Sequence, residues 1–256
     1  MRETAVYIWC MVAAAVWCAA AENPRAADSG VYADAYAALE NAVYAQEDTT
    51  ETVCALYDAA CAAAETSDAA ESCGESLRLA RLSQCEELMG RWYVVHGDEE
   101  SAGGCFDRGV AYARESDELC PNAEARASLA ANTSQNMRTK SVGYLLRNGL
   151  KLKSFIKDAL EPDPYNAAAA YLQVSTYVYA PKAFTDAEKG REIVLRMLSD
   201  ERFALSNAER FNVYTALAKA AIPDKDYAEV QHYLAQAAEL FPHNSTLEEH
   251  RQELPQ

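Results

Sequence analysis

The chain has 256 residues, half of them apolar and 24% charged, which is enough for a real core and too apolar for a disordered polymer. With 23 basic against 39 acidic side chains the formal charge is −16, which excludes a general nucleic-acid binder, because phosphate backbones are held by positive surface. Ten Gly and eight Pro, scattered along the chain, are too few for the dense turns of a sandwich or barrel, so the expectation is helices.

From Ala5 to Ala21 the chain carries no charge, and Glu22-Asn23-Pro24 ends the run. Small Ala19 and Ala21 occupy the two positions a signal peptidase reads, so residues 1–21 are expected to be a secretory signal peptide, with 22–30 a short linker and an exported, periplasmic protein beyond it. Cys18 offers a lipid-anchored alternative, although bulky Trp17 stands directly before it. An uncleaved anchor is a third reading, since such a run barely spans ~30 Å of hydrocarbon.

The next elements are helical. Val31 to Gln46 shows apolar residues at helical spacing, and Asp48 or Thr49 can cap a second helix running to about Ala64. A polar break, Glu65-Thr66-Ser67-Asp68, leads to Cys73-Gly74 and a third helix through Val95, which His96-Gly97-Asp98 ends. Helices then recur between breaks near Pro121, Asn148-Gly149, Pro162-Asp163-Pro164, Ala180-Pro181, Pro223-Asp224 and Pro242.

Six cysteines follow the signal: Cys54, Cys61, Cys73, Cys85, Cys105 and Cys120. Their even number suits disulfides in an oxidising compartment, and their spacing does not suit zinc. If the second and third helices form a hairpin turning near Ser67–Ala70, Cys61 faces Cys73 and Cys54 faces Cys85. That leaves Cys105 for Cys120, a pair that needs a helix break near Ser116. Buried free thiols are the alternative.

The breaks have a rhythm. Gly90, Tyr93, Ala102, Phe106 and Gly109 stand at offsets that resemble the tetratricopeptide-repeat signature, and Tyr214, Leu217, Ala218, Leu234, Ala237 and Pro242 fit it again. Between them Leu152, Ile156, Ala159 and Pro164 match the second half of a unit, and Ala170, Val174, Tyr177, Gly190, Val194 and Met197 match another whose turn is about four residues too long. The chain therefore resembles the tetratricopeptide-repeat family. The resemblance implies an all-α, right-handed α-solenoid of antiparallel helix pairs, three to four degenerate units over 75–253, preceded by an N-terminal helical hairpin at 31–74. It also implies a concave side lined by the first helix of each pair, where Gln84, Glu87, Arg91, Tyr171, Ser175, Asn212, Thr215 and Lys219 are the expected contacts.

No chemistry stands out. None of His96, His232, His243 and His250 belongs to a metal-binding helix pair, and neither a Gly-rich phosphate loop nor a Gly-x-Ser-x-Gly elbow occurs. The chain is read as non-enzymatic, without cofactor or metal. One charge feature does: from Ala125 to Lys157 there is no acid, while Arg138, Lys140, Arg147 and Lys151 are among seven basic residues there. These four are expected to contribute to binding an acidic partner, against the plainer reading of pairing with neighbouring acidic repeats. The leading expectation is an exported scaffold for a protein or peptide partner. The alternative is a ligand-binding accessory of a periplasmic transport system holding a small apolar or acidic molecule. A closed pocket would favour the second and an open charged groove the first; partner identity and oligomeric state stay open.

Overall fold

The computed structural model describes residues 30–66, 73–180 and 185–254; the expected signal peptide, most of the linker and the Ser67–Ala70 turn lie outside the described residues. Among the described residues there are eleven α-helices and no strand. They are α1 (Val31–Ala45), α2 (Thr50–Thr66), α3 (Gly74–Val95), α4 (Glu99–Leu119), α5 (Ala123–Asn136), α6 (Val142–Leu160), α7 (Ala167–Val178), α8 (Ala187–Ser199), α9 (Asn207–Ala221), α10 (Tyr227–Leu240) and α11 (Ser245–Gln252). None is long and apolar enough to cross a membrane.

Local chemistry explains the boundaries. Side chains of Asp98, Asn122, Asn166, Asp186, Ser206 and Asp226 each accept an amide at the start of a helix, satisfying donors the helix leaves open. Ser206 and Glu209 do so reciprocally as a capping box. Gly97 ends the α3 stretch with φ +76°, a left-handed conformation that costs glycine nothing.

Each helix packs on the next, so the chain is built of neighbouring pairs. A second set of contacts joins alternate helices: α1 to α3, α3 to α5, α5 to α7, α7 to α9, and α9 back to α1. Those five helices form a closed inner ring, α2, α4, α6 and α8 each pack against two successive members of it, and α10 packs on α9 and α11. The close crossings depend on small residues. A Cβ on Gly90 would stand 2.4 Å from the Phe106 ring, and one on Gly190 would stand 2.4 Å from Val178.

The core follows the ring. One buried cluster runs from Tyr32 and Leu39 on α1 through Trp92 on α3 to Phe211, Phe241 and Leu247 at the other end of the chain. Tyr44 is its keystone. Its ring packs at 5.9 Å on Phe211 and 5.6 Å on Phe241, and its carbonyl accepts from Asn244 at 2.8 Å. The N-terminal helices therefore share their core with the last three.

Two expectations are corrected. The break at Asn148-Gly149 does not occur: α6 runs through it, because Asn148 is buried and donates to the Tyr144 carbonyl one turn back, while Leu152, Ile156 and Ala159 anchor the helix beyond. The interruption falls instead just before Ser141.

The disulfide pairs Cys61–Cys73, Cys54–Cys85 and Cys105–Cys120 are replaced by Cys73–Cys120, with Cys54, Cys61, Cys85 and Cys105 free. Cys73 precedes α3 and Cys120 ends α4, so antiparallel packing of those helices brings the two together. Helix α4 is unbroken through Ser116, which keeps Cys105 about 22 Å of helix from Cys120. The α2–α3 register also differs. Tyr57 donates to Glu86 at 3.0 Å, a level about one to two turns further along α3 than the symmetrical hairpin implied.

Candidate functional site

The 3.6-residue period puts Gln84, Glu87 and Arg91 on one face of α3 and Tyr36, Glu40 and Tyr44 on one face of α1. In the ring these faces meet. With Tyr171 of α7, Asn212 of α9 and Ser128 of α5 they line a central cavity of about 80 Å³, to which all five inner helices contribute. It opens at both ends. Toward the start of α1 it adjoins a space of about 210 Å³ that shares Tyr36, Glu40, Gln84 and Glu209, and Glu124 adds another carboxylate there. Toward the end of α1 it adjoins one of about 270 Å³ that shares Tyr44, Arg91 and Asn212 and adds Arg138. A passage thus follows α1 through the ring, with these polar groups set in a wall that is largely apolar except at the Arg138 end.

Its walls are held by hydrogen bonds. Tyr32 donates to Gln84 at 2.8 Å, and the Arg81 guanidinium lies 4.7 Å above the Tyr32 ring. Asn212 donates to the Tyr44 hydroxyl at 2.7 Å. Arg91 pairs through Nε with Glu87, one turn back on α3. Burial works against the guanidinium's charge, but Glu87 and the phenols of Tyr44 and Tyr171 outweigh it, so its pKa is held above the usual value. Burial is the main cause that pushes the phenols of Tyr32, Tyr44 and Tyr171 up, joined by Glu124 at Tyr32 and by Glu87 and Glu40 at Tyr44, so they stay protonated donors.

The structure thus brings together five of the eight expected concave residues: Gln84, Glu87, Arg91, Tyr171 and Asn212. The other three stand behind the wall. Ser175 donates to the Tyr171 carbonyl at 3.0 Å, Thr215 is buried and donates to the Asn212 carbonyl at 3.0 Å, and Lys219 pairs with Glu253.

The basic stretch is divided. Arg126 pairs with Asp117 at 2.8 Å and Lys140 with Asp107 at 2.7 Å, both internal ion pairs. Arg138 reaches the passage. Arg147 and Lys151 are exposed on α6 among Val142, Leu145, Leu146 and Leu150, the last 86% exposed.

Sequence reasoning missed Tyr36, Glu40, Tyr44 and Glu209. A signal for the first three was present, since Tyr32, Tyr36, Glu40 and Tyr44 recur every fourth residue and so share one stripe of α1. No protein-family model matches the chain, and no curated protein is similar to it.

Proposed function

We propose that this chain is an exported, non-catalytic protein that binds a small molecule in the passage enclosed by α1, α3, α5, α7 and α9, as an accessory component of a solute-transport system would. One observation carries the reading. The side where a repeat protein would receive a peptide is taken up by the chain's own α1, and what remains is a cavity of about 80 Å³ with a few polar groups in a largely apolar wall. In this reading α3–α4, α5–α6, α7–α8 and α9–α10 are degenerate tetratricopeptide-like units wound as a right-handed solenoid, with α1 closing it. Native mass spectrometry of the protein taken from its own cells tests the function. A small-molecule mass bound one to one and released on denaturation is expected. A bare chain that instead co-purifies with a polypeptide bound through the inner helices would refute it.

A second reading is favoured by α6, whose exposed Leu145, Leu146 and Leu150 lie beside Arg147 and Lys151. That outer face suits an acidic protein partner with an apolar centre. If it is used, Leu146→Ser with Leu150→Ser abolishes capture of that partner while ligand binding persists.

A further inference from the structure

The two ends of the passage differ in charge, and the end nearest the C-terminus of α1 is the one lined by cations, Arg91 paired with Glu87 and Arg138 without an ion pair among the described residues. Arg91 uses Nε for Glu87, and its two terminal amino groups make no hydrogen bond among the described residues. Arg138 has neither an ion pair nor a side-chain hydrogen bond among the described residues. Both line the same cavity of about 270 Å³. The Tyr44 hydroxyl, which accepts from Asn212, keeps its own proton to donate. Val43, Val94, Val95 and Phe211 supply the smaller, apolar part of a lining that Gln46, Gln135, Asn244 and Thr246 make mostly polar.

We propose that this cavity is a carboxylate site, taking a small monocarboxylic acid, its carboxylate held between Arg91 and Arg138. The proposal rests on the passage being a ligand site and adds the class of ligand. Arg91 keeps only 24% of its side-chain surface exposed, so its planar fork is largely fixed and desolvated before a ligand arrives. Two guanidinium forks match the two oxygens of a carboxylate, and the charge-assisted bonds they offer are about twice as strong as neutral ones. Glu87, engaged by Arg91, and Glu249, exposed at the rim, already offset the two arginines one for one, so a ligand with two negative charges would be opposed more strongly than one with a single charge.

Calorimetric titration of the full chain with straight-chain monocarboxylates of two to eight carbons, alongside the matching primary amides and alkylamines, tests this. At least one acid is expected to bind tenfold or more tightly than its amide, with Arg91→Gln and Arg138→Gln each weakening it at least tenfold. Glu249→Gln should tighten it. Arg138 is exposed and unpaired, so its variant remains informative even where Arg91→Gln, which strands Glu87, disturbs folding. Acids that bind no better than amides or amines, or an Arg138→Gln variant that binds as the parent does, overturn the carboxylate assignment. A neutral or cationic ligand released in the native mass measurement would sink this assignment alone and leave the passage reading standing. A chain with no bound small molecule and no response to any probe sinks both.

Discussion

Tyr44 shows how one side chain can both close the ring and line its passage. Its ring fills the contact between α1 and the Phe211 and Phe241 rings, and its hydroxyl sits in the passage bonded to Asn212. Tyr44→Phe should cost about 1 kcal/mol, because it leaves the Asn212 amide without that acceptor, and Tyr44→Ala about 3–5 kcal/mol. Urea unfolding of the two variants measures the difference. His250 is a second case. It is buried, neither ring nitrogen has a hydrogen-bond partner among the described residues, and burial depresses its pKa, with Glu253, Lys219 and Glu249 as the charged neighbours and Tyr179 against its ring. A depressed folded-state pKa means the unfolded chain takes the proton first. Its contribution is therefore complete above pH ~6.5 and is lost as the pH falls through the folded value. The melting temperature should drop between pH 7 and pH 5 more steeply in the parent than in His250→Phe, and equal slopes would exclude His250 as a source of the drop.

At the scale of elements, the helix pairs are set by where backbones can approach. Gly90 on α3 faces the Phe106 ring of α4, which is fully buried and has no room to retreat. Gly90→Ala should destabilise by about 1–3 kcal/mol despite alanine's better helix propensity, because overpacking outweighs the ~1 kcal/mol gained from removing glycine. A thermal melt that rose instead would show the α3–α4 crossing to be looser than its geometry. The same pair is tied at its end by Cys73–Cys120, which closes a sequence separation of 47 residues. Cys73→Ser should cost about 2–4 kcal/mol under oxidising conditions and nothing under reducing ones, and non-reducing peptide mapping should recover Cys73 joined to Cys120.

At the scale of the molecule, α1 completes the architecture. It touches α2, α3 and α9, and its Leu39 is wholly buried in the cluster that also holds Phe241 and Leu247. Leu39→Asp would bury an unpaired carboxylate at this closure and should destabilise the protein by more than about 3 kcal/mol. The damage should spread to α9–α11. Hydrogen exchange can follow it: faster exchange confined to α1 would mean that the ring does not depend on its closing helix.

The sequence by itself determined the helices and the face each one offers. Helical periodicity and capping chemistry are local, so Val31–Gln46, Cys73–Val95 and the breaks at Pro121, Pro162 and Pro242 were legible, as was the alignment of Gln84, Glu87 and Arg91. The small residues at Gly90 and Gly190 likewise announced close crossings. What only tertiary structure decided are the long-range meetings. Nothing near Tyr44 in sequence announces Asn212 or Asn244, which lie 168 and 200 residues away. The cysteine pairing failed because it assumed a symmetrical hairpin of α2 and α3, whereas α3 makes its main contact with α4 and its disulfide crosses to the end of that helix. An open groove became an enclosed passage for the same reason. A helix's apolar face dictates that it must be buried, but which neighbour buries it depends on how the whole ring closes.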